Sequence, residues 1–228
     1  MSPQPHLPDA WSYSAWSDYE TCPLKYHGRR VLKLPEPPSD ALAEGNRFHA
    51  QVAKHITVPS APAPDRPIHA RIAPIVAQLR ETESKTVEQQ WGFTRTWKPT
   101  GWFSRGASAT WLRVVLDVGV AYPDGEAIVG DWKTGKRYDS NDEQMELFAI
   151  ATFAQWPHVT SLETRLWYVD NGHEECAGFK RSELASLTAK WETRALTMLA
   201  DRTWAPKPND KCRFCVRARQ AGGDCRFG

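Results

Sequence analysis

The stretch from Leu112 to Gly135, LRVVLDVGVAYPDGEAIVGDWKTG, constrains the fold more than any other part of the chain. Two runs rich in β-branched residues flank a Pro-Asp-Gly turn signal, and each run carries an acidic residue inside an apolar pattern. If the loop is Pro123-Asp124-Gly125, with Gly125 taking a left-handed conformation, Tyr122 faces Glu126. Continuing that register sets Asp117 opposite Asp131, with Lys133 on the same face. A loop of only Asp124 and Gly125 would send Asp117 to the opposite face. The longer loop is adopted because it brings two carboxylates and a lysine to one place.

Such a trio suits divalent-metal hydrolysis. Mg²⁺ and Mn²⁺ prefer oxygen ligands, and paired carboxylates hold them while leaving positions for a phosphate oxygen and water. Lys133 would orient the water or stabilise developing charge. The bland alternative is a surface hairpin carrying ordinary polar residues.

A chain of 228 residues can bury one substantial core with a small appendage. Its 29 basic and 27 acidic residues nearly cancel, so attraction to a polyanion must come from local patches rather than net charge. Eleven tryptophans are many for this length, and they offer core volume or base-stacking surface. The amino terminus lacks the pattern of a secretion signal and no run is long enough to span a membrane. A cytoplasmic protein without membrane association is expected. Five cysteines in a reducing compartment argue against a disulfide framework.

Along the chain, Ser12 or Ser14 caps a short helix bearing Trp16 and Tyr19, stopped near Pro23. Lys25, His27, Arg29, Arg30 and Lys33 form a basic patch, either a solvated face or a contact for a phosphate backbone. From Ser39 to Ile56 a helical stripe turns His49 inward, as a core histidine or as a metal ligand. A helix follows over Arg71 to Glu83. Thr86 to Trp97 alternates as a strand with Val87, Gln89, Trp91 and Phe93 on one face. Glu88 points the other way, as an exposed carboxylate or as one approaching the metal from a neighbouring strand. Lys98 to Ser108 reads as an irregular loop whose Trp102, Phe103 and Arg105 either pack or meet nucleic acid. Ser140-x-x-Glu143 is a capping box for a helix that ends at Pro157 and carries Gln144 near its start. Strands over Leu162 to Val169 and through Phe179 flank the Asn171-Gly172 turn, and Ser182 to Leu199 forms a final amphipathic helix. Helices around a central group of strands make an α/β fold.

After Trp204 the chain becomes short of apolar residues and rich in cysteine. Cys212-x-x-Cys215 offers two ligands, Cys225 can return through Gly222-Gly223, and Cys22 is a candidate fourth. Zinc, an iron–sulfur cluster and unliganded thiols all fit that spacing. Residues 1–204 are thus expected to form the core and 205–228 a cysteine-rich tail. Cys176 reads as an isolated structural thiol.

These residues resemble the RecB-type branch of the PD-(D/E)xK nuclease superfamily, with its AddB-like and CRISPR-associated iron–sulfur exonucleases. SYSAWSDYETCPLKY is similar to the cysteine-proline opening of that branch, GNRFHA to its histidine helix, VVLDVG to its first acid motif and GDWKTG to its second. QMELF resembles its glutamine-bearing helix, and CRFC followed by DCRFG its terminal cluster region. Val216 stands where proline is frequent, and the interval to Cys225 is longer than usual.

The resemblance implies a restriction-endonuclease-like core, a central mixed sheet flanked by helices, with an iron–sulfur lobe joining the two termini. It implies that His49, Asp117, Asp131 and the backbone carbonyl of Trp132 bind Mg²⁺ or Mn²⁺, while Lys133 and Gln144 serve catalysis. It implies further that Cys22, Cys212, Cys215 and Cys225 hold a 4Fe–4S cluster, with Zn²⁺ as the alternative. The activity implied is exonucleolytic cleavage of linear DNA with free ends or single-stranded tails, in recombination, repair or phage- or CRISPR-related processing, with a recombinase, helicase or CRISPR-related protein as partner. A structure-specific endonuclease, a zinc-stabilised nucleic-acid-binding protein and a non-catalytic capture partner are the rival readings.

Overall fold

The computed structural model describes residues 10–36, 39–135 and 141–227. Its centre is a mixed sheet of β1 (Trp11–Ser12), β2 (Lys85–Phe93), β3 (Pro99–Thr100), β4 (Leu112–Ala121), β5 (Glu126–Lys133), β6 (Ser161–Tyr168) and β7 (His173–Lys180). The strands run in the order β3-β2-β4-β5-β6-β7, with β1 beside β4. The helices are α1 (Tyr13–Thr21), α2 (Pro23–Tyr26), α3 (Asp40–Thr57), α4 (Ala73–Glu81), α5 (Asn141–Gln155) and α6 (Leu184–Ala200). This is the expected α/β arrangement, and β5-α5-β6 supplies its parallel crossover.

The elements follow local chemistry. Ser12 and Ser39 cap α1 and α3 by accepting the amides of Ala15 and Leu42, each at 3.3 Å; a cap of this kind contributes about 1 kcal/mol. The proposed capping residue of α5, Ser140, lies outside the described residues. Pro23 ends α1 and opens α2, where its missing N–H costs nothing.

Two cores cover the sheet. On one face α1, α5 and α6 bury Trp11, Trp16, Phe148 and Trp191 against Val114, Leu116 and Val129. On the other, α3 and α4 bury Phe48, Val52 and Val76 against Val118, Val120 and Trp132. Much of the aromatic content is therefore core: Trp11 stacks on Trp191 at 5.9 Å, and Trp132 on Trp167 at 4.6 Å.

The hairpin closes through Pro123-Asp124-Gly125. The Tyr122 amide donates to the Glu126 carbonyl at 2.8 Å, and Gly125 has φ +90°. Pairing then runs from Ala121–Ala127 to Val118–Gly130 and stops. Further down the same edge of β4, β1 pairs in parallel with Leu112 and Arg113. Residues 114–117 of β4 thus lie between two different neighbours, where the sheet is split.

The same region breaks the side-chain alternation. Val87 and Val118 pack with α3 and α4, whereas Trp91, Phe93 and Leu116 pack with the opposite face. A single shared face from Val87 to Phe93 is therefore not what forms. The reason is Glu88, which sits across from Asp117 in the register and takes a left-handed backbone, φ 50°. For a residue with a Cβ that conformation costs about 1–2 kcal/mol.

Within the basic patch, Lys25, Arg29 and Arg30 converge on buried Asp18 at 3.0, 2.6 and 2.9 Å. His27 stacks on Trp204 at 3.9 Å. These four residues are thereby tied into the fold. Among the described residues no helix is long and apolar enough to cross a membrane.

Candidate active site

The split in the sheet places the acids. Because β4 and β5 part after Val118–Gly130, the Trp132 amide has no strand partner there and donates to the Asp117 carboxylate at 2.8 Å. That bond holds Asp117, 4% exposed, in the gap between the strands. From α3, His49 Nδ1 reaches the same carboxylate at 3.1 Å. The helix approaches closely because Gly45 lies against Thr134; a Cβ there would stand 3.1 Å from the threonine hydroxyl.

Asp131 lies on the last turnings of β5, where Gly130 makes room for Trp167: a Cβ at Gly130 would fall 1.9 Å from that ring. Its carboxylate is gripped by Lys133 Nζ at 2.6 Å and by Gln144 Nε2 at 3.4 Å. Lys133 also donates to Gln144 Oε1 at 2.6 Å, so the helix-borne glutamine bridges acid and lysine. His49, Glu88, Asp117, Asp131 and Lys133 line one cleft of about 900 Å³.

Glu88, for which the sequence left open an exposed carboxylate or one approaching the metal, is both exposed and beside the other donors. Its left-handed backbone turns it to the cleft, where ligand atoms of His49, Glu88 and Asp117 lie within 4.8 Å of one another. The alternation of the strand contains no sign of this turn. Trp132 contributes its amide, while its ring is buried among α3 and α4 away from the acids.

The electrostatics are those of a cation site. Burial pushes the Asp131 carboxyl up, and Asp117 adds to this while Lys133 and His49 oppose it. Glu88 is likewise raised by burial and by Asp117, against His49. Burial alone would depress His49, but its hydrogen bond to Asp117 and the surrounding carboxylates push it up to about 9. Three mutually repelling acids beside a histidine offer hard oxygen and imidazole donors that a divalent ion would neutralise.

The cysteines occupy a separate place. Cys22, Cys212, Cys215 and Cys225 line one small cavity between the α1–α2 junction and the tail. Backbone amides point at three of the sulfurs: Lys207 to Cys22 and Asn209 to Cys212 at 3.3 Å, Arg217 to Cys215 at 3.5 Å. The Asn209 side chain ties the tail to the Thr21 carbonyl at 3.2 Å. Burial and the neighbouring sulfurs Cys22 and Cys225 raise the Cys215 thiol, against the amide of Arg217 and Lys25. Cys176 is exposed on β7, apart from this group.

A split mixed sheet carrying acids, lysine and histidine in one cleft defines a metal-dependent hydrolase of phosphodiesters. The family model of the PD-(D/E)XK nuclease superfamily matches residues 10–219. The chain belongs to that superfamily and is a nuclease of the restriction-endonuclease-like α/β type. Among solved structures, a candidate exonuclease from Eubacterium rectale is similar at TM-score 0.50 and 13% identity, over 93% of this chain and 88% of that one. The crystal structure of SSO0001 aligns at TM-score 0.47 and 11% identity, over 97% and 88% of the two chains. No curated protein matches.

Proposed function

We propose that the protein is a Mg²⁺- or Mn²⁺-dependent DNA exonuclease of the RecB-type branch. The observation that carries this is the Asp131–Lys133–Gln144 arrangement beside the His49–Asp117 pair. His49, Asp117 and Asp131 would hold the ion, with the Trp132 carbonyl as a further oxygen and Glu88, whose carboxylate lies with His49 and Asp117, as a further donor. When bound, the ion supplies Lewis-acid polarisation of the phosphate and lowers the pKa of water.

The chain's own residues do the remainder. Lys133, held by Gln144 and Asp131, positions the attacking water and stabilises charge on the phosphoryl oxygens. Asp131 holds that ammonium in place at 2.6 Å. The amide of Trp132 fixes Asp117, so the acids are oriented by backbone as well as by each other.

The cysteine cavity supports a metal centre: four cysteines line it, and backbone amides donate to three of their sulfurs. Zinc and a 4Fe–4S cluster both accept four thiolates, and the cluster is the reading that the resemblance to the iron–sulfur branch favours. Its role would be structural, joining a tail of residues 205–228 to a core of residues 1–204.

End dependence tests the exonuclease reading. Purified protein with Mn²⁺ should degrade linear DNA and leave covalently closed circles intact. Equal cutting of circles would assign a structure-specific or general endonuclease instead.

A further inference from the structure

A second cavity opens on the α5 side of the split sheet. It measures about 410 Å³ and shares Val115 and Asp131 with the catalytic cleft, so the two meet at the gap beside β4. Trp102 and Arg113 form its outer wall, with Gln144 on the inner side.

The loop that presents this wall is held by its own hydrogen bonds. Thr110, buried, donates to the Gly101 carbonyl at 2.7 Å and accepts the Ser104 amide at 2.9 Å, while Thr100 donates to the Ser108 carbonyl at 2.9 Å. Its backbone also packs tightly: a Cβ at Gly92 would stand 2.5 Å from the Gly101 carbonyl. An ordered loop nevertheless holds Phe103 outward at 75% exposure. Core packing does not explain that ring. Arg113 donates to the Trp102 carbonyl at 2.9 Å, and its guanidinium carbon lies 5.4 Å from the Trp102 ring and 4.8 Å from the Phe103 ring. Trp102 and Arg113 thus line a cavity that reaches Asp131, and the exposed Phe103 ring adjoins both of them.

We propose that Trp102, Phe103 and Arg113 form a seat for an unpaired nucleotide next to the scissile phosphate. This rests on the nuclease reading and adds the form of the substrate. A base inside a duplex has both faces covered by its neighbours, whereas an unpaired base has faces free to stack on an aromatic ring. The guanidinium attracts the adjoining phosphate, which sets the strand's position relative to Asp131. The substrate therefore reaches the cleft as a single strand, and the seat selects for it through base faces rather than base edges.

Two measurements test this. The first is fluorescence anisotropy of a labelled ten-nucleotide oligothymidylate in EDTA, which needs no catalysis. Trp102→Ala and Phe103→Ala should each weaken binding about tenfold, within the range for loss of one base–aromatic stack, and Trp102→Phe should retain it. A blunt duplex capped by hairpins should bind more weakly than the single strand, and none of these variants should change its binding.

The second is Mn²⁺-dependent cleavage of single strands in which one abasic residue is moved along the sequence. In the wild type one position beside the cut should slow cleavage about tenfold, and in Trp102→Ala that position should lose its extra effect. Wild-type affinity in both alanine variants, equal loss on the capped duplex, or a flat abasic profile would overturn the proposal. If the wild type cleaves nothing, the exonuclease reading fails, and the anisotropy comparison alone decides the seat.

Discussion

The carboxylate of Asp117 accepts the backbone amide of Trp132 at 2.8 Å, across the point where their two strands separate. A side chain thus replaces a rung of the sheet. The peptide it holds joins directly to Asp131, so the first acid positions the second through one residue. His49 reaches that same first acid from the helix, which makes Asp117 the joint between helix, gap and catalytic strand.

Lys133 and Gln144 separate water activation from metal binding. Lys133→Met should reduce cleavage by about 10²–10⁴-fold, the usual contribution of a positioned proton-transfer group. Gln144→Leu should cost less, because Asp131 still grips the lysine. Mn²⁺ binding measured by calorimetry should survive both changes. Loss of Mn²⁺ binding in Lys133→Met would show that the lysine organises the ion site instead.

The histidine makes ion binding pH-dependent. Burial pulls His49 down, but Asp117, Asp131 and Glu88 raise it from 6.5 to about 9, so the ion-free protein carries it protonated at neutral pH. A raised basic group stabilises the fold fully below its unfolded value of 6.5, and that contribution is lost as pH rises through about 9. Ligation requires neutral imidazole, so Mn²⁺ uptake at pH 7 should release a proton and tighten as pH rises toward 9. Calorimetry in two buffers of different ionisation enthalpy counts that proton, and His49→Ala should abolish its release.

Gly130 tests how packing sets the acid. Adding a Cβ drives it into the Trp167 ring, which also stacks on Trp132. Gly130→Ala should lose about 1–3 kcal/mol in chemical denaturation, as overpacked cores do, and should lower cleavage because Asp131 is the next residue. Gly130→Ala with Trp167→Leu should recover part of both.

The cysteine cavity makes a separate prediction about metal content. Cys212→Ser, in anaerobically purified protein, should lower bound iron and visible absorbance and loosen the tail. Iron content equal to wild type would exclude Cys212 as a ligand, and stoichiometric zinc in the wild type would replace the iron–sulfur assignment.

How far the sequence revealed this site depends on which forces set each residue. Asp117, Asp131 and Lys133 were legible because one turn fixes the hairpin register, and register decides faces. Helical spacing turned His49 inward but left open whether it was core or ligand, and Gln144 was singled out by the resemblance; the structure brings them to Asp117 and Lys133 respectively. Glu88 was legible only as one of two alternatives, because period-two alternation assumes extended backbone and its φ of 50° violates that locally. The role of Asp18 was not legible: its three cations come together through the turn after α1, and charge composition carries no such geometry. The short β1 escaped for a related reason, since its two residues become a strand only by pairing with β4.

The most direct test of the central claim is Mn²⁺-dependent release of nucleotides from end-labelled linear DNA by wild-type protein and by Asp131→Asn, with folding of both checked by circular dichroism. Wild-type protein should release nucleotides and lose this activity in EDTA, while the folded variant should fall by at least about three orders of magnitude. Wild-type rates from folded Asp131→Asn would contradict the assignment.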